Sequence, residues 1–296
     1  MSKDTEKVFR DLEKYLSKKE IKSEQEFNDA VKDFMNQFNH KSLPKKGKDA
    51  WDYVDMAYEA DNEQDALKYA RKALQLDKNC LDAEVMITEL TTEDGEELKS
   101  KYEKLIEKAE KQLKETDIFK EENMGLFWSI LETRPYMRLR YSYIRLLIDL
   151  GKFKKAVKEC EDMLLLSEGD NMGVRYLLMS LYSFFEDELN AIRLHKRYEE
   201  EPSPHMLLPL IALYYKLDNA KKAESYLKKL RMVNTELEEV FCCSEDSDDM
   251  IMDDVIESGM YRCGSKEEIM AAMTESAFLY AATAGFFPWM TNKIAR

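Results

Sequence analysis

The sequence predicts an all-α protein of tandem helical hairpins wound into a right-handed superhelix, an α-solenoid. Three observations predict it. Helix breakers are scarce, with 9 Gly and 6 Pro in 296 residues, while Glu, Lys, Leu and Ala abound. No stretch alternates apolar and polar residues between turn signals as a half-buried strand does. Small residues recur behind polar turns at a spacing suited to a two-helix unit. The hydrophobic share of 44% is enough for a core, and the length allows one large domain or two smaller ones.

The elements follow in order. Asp4 to Leu16 reads as a helix, with Val8, Leu12, Tyr15 and Leu16 at helical spacing. Ser23 followed by Glu26 is a capping box for a second helix to Phe38, whose Phe27, Val31, Phe34 and Met35 share a face. His40 to Lys48 reads as a loop, and residues 1–46 as an N-terminal helical hairpin cap. Repeats are expected over 47–237. Ala66, Ala156, Ala191 and Ala223 follow the polar turns ADNEQDA, LGKFKKA, FEDELNA and LDNAKKA. Seven residues on come Ala73, Met163, Tyr198 and Leu230; nine or ten residues back come Ala57, Leu147, Leu181 and Tyr214. Val54, Ile144, Leu178 and Ile211 lie three residues earlier again. Two helices per unit, small residues at their crossing and about 34 residues per unit make the tetratricopeptide pattern. Hairpins are placed at about 47–80, 134–170, 171–203 and 204–237, with an irregular hairpin over 81–120. Thr91 or Thr92 is the expected N-cap of its second helix.

Between the irregular hairpin and the next repeat lies GLFWSIL, where Leu126, Phe127, Trp128 and Ile130 are expected to form an apolar plug. Pro135 marks a helix start, where its missing N–H costs nothing. Residues 238–264 read as an acidic loop; Glu236 to Glu257 holds ten acids and no Lys or Arg, but also Phe241, Met250, Ile251 and Met252. Residues 265–296 read as a C-terminal capping helix and tail: Ser265 and Glu268 cap a helix from Lys266 to about Ala284, and Gly285 and Pro288 make a turn.

Two segments carry a family resemblance. ETRPYM contains Glu132, Arg134, Pro135 and Tyr136, preceded by Trp128; DNMGVRYLL contains Asn171 and Tyr176. With the tail elements GSKEEIM and TAGFFPWM, they resemble bacterial tetratricopeptide proteins akin to the suppressor-of-tumorigenicity-seven family, with Ala284 where that family usually has Pro. The likeness is strongest over residues 120–180. It implies a helical-repeat interaction protein and implies no reaction. Animal members of that family look membrane-anchored, and this chain lacks their spans, so their location is not carried over.

Charge and motif content set limits. A net charge of −14 disfavours nucleic acid and anionic membrane surfaces, both of which need clustered cations. Cys80, Cys160, Cys242, Cys243 and Cys263 are odd in number and form no CxxC, which fits a reducing compartment. No signal peptide is visible, and the longest apolar run, Ala277 to Met290, is too short to span a bilayer. A cytoplasmic protein is expected, monomeric or weakly oligomeric. The chain has no GxSxG, no GxxxxGK[ST] and no HExxH, and its three histidines, His40, His195 and His205, make no metal-ligand spacing with the cysteines. No catalytic residue, metal or cofactor is expected. Glu132 beside Arg134 reads as an ion pair.

Binding is the expected role. In stacked hairpins the first helix of each pair lines the concave side. Arg138, Tyr141 and Arg145 share one such face; Arg175, Met179 and Tyr182 share the next; Leu208, Ala212 and Tyr215, with Lys216 beside them, share the last. A cationic, aromatic groove in an acidic protein suits a protein or peptide bearing acidic side chains or a C-terminal carboxylate, because Arg grips carboxylates bidentately. Other readings stand beside this one. Tyr and Met at that spacing also suit a core, and Arg138 and Arg175 could pair with acids on neighbouring helices. The groove could be filled by residues 236–257, leaving a structural or oligomerisation module. An enzyme of unknown class is the remotest reading.

Overall fold

Small residues at helix crossings shape the fold. The computed structural model describes residues 3–39, 48–242 and 261–295. Among the described residues the secondary structure is helical, with no strand and a single isolated bridge between Leu126 and Ser167. The chain divides into two compact units: Met1–Leu146 with Leu166–Asn171, and Leu147–Leu165 with Met172–Arg296.

In the first unit α1 (Lys3–Leu16) pairs with α2 (Glu24–Asn39). The Ser23 hydroxyl accepts the Glu26 N–H at 3.2 Å, and the Glu26 carboxylate accepts the Lys22 N–H at 2.7 Å. Next comes α3 (Ala50–Tyr58), closed by a capping box between Asp49 and Asp52, and α4 (Glu63–Leu76), capped by Asn62. Ala57, Ala66, Ala70 and Ala73 are buried where these helices cross, so their backbones approach closely. Against α4 lies α5 (Leu81–Leu90), and against that α6 (Gly95–Glu115).

The cap of α6 is Asp94, not Thr91 or Thr92: its carboxylate accepts the Glu97 N–H at 2.7 Å. Thr91 instead donates to the Ile87 carbonyl at the end of α5, and Thr92 accepts from Lys101 Nζ. An aspartate satisfies the orphan N–H and also complements the positive helix end. Three short 3-10 turns then lead to α7 (Arg134–Asp149). Phe127 and Trp128 are buried here as expected, but Leu126 is 54% exposed. The backbone of this stretch does the joining instead: the Gly125 carbonyl accepts the Glu168 N–H at 2.9 Å. Gly125 has φ +85°, and a β-carbon there would crowd the Glu168 side chain at 3.1 Å.

The second unit begins within α7 and continues with α8 (Phe153–Leu166). Two hairpins follow: α9 (Val174–Phe184) with α10 (Glu188–Arg197), and α11 (Pro204–Lys216) with α12 (Ala220–Val233). Ala191 and Ala223 are fully buried at the crossings. Every residue of α11 from Pro204 to Tyr214 is buried, because neighbours cover it on several sides. After α13 (Leu237–Cys242), the tail forms α14 (Lys266–Glu275), α15 (Ala277–Ala281) and α16 (Phe286–Ile294).

The single helix expected from Lys266 to Ala284 is therefore broken at Ser276, whose hydroxyl meets the Ser180 hydroxyl at 2.6 Å. The expected turn at Gly285 and Pro288 opens a further helix. Pro288 falls in the first turn of α16, where N–H groups have no helical partner to lose. Among the described residues, no helix is long and apolar enough to cross a membrane.

Candidate functional site

The first unit brings together charges that sequence periodicity leaves scattered. Glu6, Arg10 and Lys14 lie at four-residue intervals and so form one stripe of α1. Glu6 and Arg10 are buried, at 5% and 8% exposure, while Phe9 is 41% exposed. The stripe meets side chains from α3 and α7, and through Arg138 of α7 it is linked to α5. Arg138 Nη1 donates to Glu6 Oε2 at 3.0 Å, and Arg134 Nη1 lies 3.5 Å from the same oxygen. Arg10 Nη1 reaches Glu6 Oε1 at 3.3 Å, so three guanidinium groups surround one carboxylate. Arg10 Nη2 donates to Asp55 Oδ2 at 2.8 Å, and its guanidinium sits 4.8 Å over the Trp51 ring. Lys14 bonds to Asp49 beyond the start of α3.

Arg138 also grips Asp82 bidentately, Nε to Oδ1 at 2.9 Å and Nη2 to Oδ2 at 2.6 Å. The buried cluster thus sets Arg10, Arg134 and Arg138 against Glu6, Asp55 and Asp82, three charges against three, with the half-exposed Lys7 at its rim 3.8 Å from Asp55. Burial disfavours the Arg138 cation, but the carboxylates of Asp82 and Glu6 outweigh it and push its pKa up.

Arg134 is nearly fully buried: its Nε donates to the Trp128 carbonyl at 3.0 Å and its guanidinium lies 5.4 Å over the Trp128 ring. This corrects the expected Glu132–Arg134 pair; Glu132 is exposed, and Arg134 turns to Glu6. Pro135 and Tyr136 are buried at the start of α7. Tyr141 is half-buried, and Arg145 is exposed with no ion pair among the described residues. The expected face of α7 therefore divides: Arg138 is committed to acids of the same unit, and Arg145 faces solvent.

In the second unit the expected groove residues are occupied. Arg175 Nε donates to Glu201 Oε2 at 2.9 Å and its guanidinium lies 4.1 Å over the Tyr176 ring, while Tyr176 Oη donates to Glu201 Oε1 at 2.7 Å. Burial alone would raise the Glu201 pKa, but these donors hold it below the usual range. Asn171 is exposed just ahead of α9. Met179 is fully buried and belongs to the core, not to a groove. Tyr182 is buried and donates to Glu161 at 2.7 Å. Lys216 donates to the Ser183 carbonyl at 3.1 Å and to the Phe184 carbonyl, at the end of α9 where carbonyls lack helical partners.

The faces of α9 and α11 are covered by the chain's own tail: α14 packs on α11 and α15 on α9. Leu208 and Ala212 are fully buried, and Tyr215 lies 5.8 Å from the Phe286 ring and 5.5 Å from Trp289. A β-carbon at Gly285 would collide with the Tyr215 hydroxyl. Phe278 stacks on Phe153 at 5.3 Å and tilts against Phe184 at 5.9 Å. His205 sits between Tyr176 at 4.8 Å and Tyr261 at 5.8 Å, with Glu275 Oε2 3.7 Å from Nε2; burial pushes its pKa down to about 4.

The acidic stretch assigned as a groove plug falls largely outside the described residues. Its first acid, Glu236, bonds to Arg262 and accepts the Lys266 N–H.

Sequence reasoning missed Glu6, Arg10, Trp51, Asp55 and Asp82. The four-residue stripe in α1 was a usable signal, as were the acids set among apolar residues in the first helices WDYVDMAY and LDAEVMITEL. Among the described residues, no group of three His, Cys, Asp or Glu side chains is arranged to hold a metal ion. No protein-family model matches the chain, and no curated protein is similar to it.

Proposed function

We propose that this chain is a non-enzymatic interaction scaffold. In this reading the hairpins are tetratricopeptide-like repeats wound into a right-handed superhelix, the protein works in the cytoplasm, and the faces of first helices receive a protein or peptide partner. The observation that carries the reading is the engagement of α1 by α3 and α7: Arg138 and Arg134 take a carboxylate, and Asp55 with Trp51 takes a guanidinium. That surface handles a helix by its charges, which is a recognition chemistry.

An array of helical peptides that varies the position of acids and bases tests it on the full-length chain. Binding should favour an acid followed four residues later by Arg, and should fall at least tenfold with Arg138→Gln while far-UV circular dichroism is retained. Binding indifferent to peptide charge, or unchanged by Arg138→Gln, overturns the assignment.

A second reading draws on the second unit. There α14 and α15 cover the faces of α9 and α11, as in a closed structural module. That reading expects no peptide binding at all, and a mass by light scattering that rises with concentration as copies associate.

A further inference from the structure

We infer that α1 is an exchangeable occupant of a binding site for a helix. Its partner class is a helix with a carboxylate and a guanidinium four residues apart, which replaces Glu6 and Arg10. This rests on the scaffold reading above and adds that the site is held shut in the free protein.

Three features of α1 lead there. The first is the inverted sense of its burial. A helix docked for stability turns its phenylalanine inward and its charges outward. Here Glu6 and Arg10 face the body, and Phe9 is 41% exposed. The second is the core beneath. The apolar cluster of α3, α4 and the start of α5, around Val54, Ala70 and Ala73, takes no side chain from α1.

The third is the charge balance. Buried ion pairs gain little net stability, because removing charges from water offsets their attraction. With α1 gone, Arg138 keeps Asp82 but loses Glu6, Arg134 loses Glu6, and Asp55 loses Arg10. An incoming acid and base at the same spacing restore every one of these contacts. An incoming helix without them leaves buried charges unpaired, which is how the site discriminates.

The chain supplies its own probe. A fluorescein-labelled synthetic peptide of residues Lys3–Leu16, KDTEKVFRDLEKYL, carries the stripe itself. It is titrated onto the full-length wild type and onto the full-length Glu6→Gln and Glu6→Ala/Arg10→Ala variants. Hydrogen exchange across α3 and α4 checks that each variant keeps its fold, and Glu6→Gln serves if the double variant does not. The peptide should bind the variants at least tenfold more tightly than the wild type, and a peptide with Gln at both positions should not bind them.

Equal, tight binding to wild type and variants would show a site that is never shut. It would overturn this inference and leave the scaffold reading standing, provided Arg138→Gln abolishes the binding. No binding to any folded variant would overturn both.

Discussion

Each unit of this molecule covers the faces of its own helices, and the two do so with opposite chemistry. The first uses ions: α1 is tied to α3 and α7 through Glu6, Arg10 and Lys14. The second uses rings and aliphatic groups: Phe278, Leu279, Tyr280, Phe286 and Trp289 pack with Tyr215, Phe184 and the core of α11 and α12. The difference matters energetically. Apolar burial stabilises by roughly 25 cal/mol per Å² without needing an equivalent partner. A buried ion cluster nets little and is restored in full by any ligand with the same charges. The tail of the second unit is therefore a piece of its core, and α1 is a replaceable piece of the first.

The strongest way to break that comparison is at Phe286. Its ring is fully buried, 5.6 Å from Tyr280 and 5.8 Å from Tyr215. Phe286→Ala should cost about 3–5 kcal/mol, as truncation of a buried aromatic does. Urea unfolding followed by tryptophan fluorescence measures it. A loss under about 1 kcal/mol would mean that the tail is a dispensable cover and that the two closures are alike.

Acid should act next most strongly, and through the second unit. His205 is neutral in the folded chain, its pKa pushed down to about 4 by burial, with Glu275, Glu201 and Arg175 as the charges around it. His195 is shifted the same way, also by burial. Unfolding returns both to the ordinary range near 6.5. Between the folded and unfolded values the unfolded chain holds more protons, so stability falls as pH drops from about 6.5 towards 4. For His205 the loss is on the order of 2–3 kcal/mol, because each tenfold drop in proton affinity on folding corresponds to about 1.4 kcal/mol. His205→Gln should flatten the profile of Tm against pH in that window. An unchanged slope would remove His205 as its source.

How much of this was legible in the sequence follows from what each feature depends on. Helix positions depend on local patterns, so Ala66, Ala191 and Ala223 located their hairpins, and Ser23 and Ser265 located their caps. Burial on one side of a helix depends on what packs there. Met179, Leu208 and Ala212 sit at the positions expected to face a groove, yet they are fully buried because the tail and neighbouring helices cover them. Periodicity reports that a face is special; it cannot tell a groove from a filled groove. Arg138 illustrates the same limit for charge. Its partners, Glu6 and Asp82, stand 132 and 56 residues away, so no local pattern could announce them.

The smallest expected effect is the most discriminating, and it concerns salt. Raising NaCl from 0.05 to 1 M shortens the Debye length from roughly 14 Å to about 3 Å and stabilises charges that have been released into solvent. Docked α1 hides its charges from that screening, and undocked α1 exposes them, so salt favours undocking. Amide exchange in α1 should quicken about 3- to 10-fold, while exchange in α11, held by apolar contacts, should not. Glu6→Gln should reproduce the effect at low salt. Breaking a buried pair costs about 3–5 kcal/mol when the orphaned charge must stay buried. Here α1 can lift away and let water reach Arg138, so the loss of global stability is capped by the free energy of undocking, about 1.5 kcal/mol if its removal is to tighten peptide binding tenfold. A loss of the full size would mean that α1 cannot leave, and salt-independent exchange in α1 would say the same by a separate route. Either result would make the first unit as permanently closed as the second.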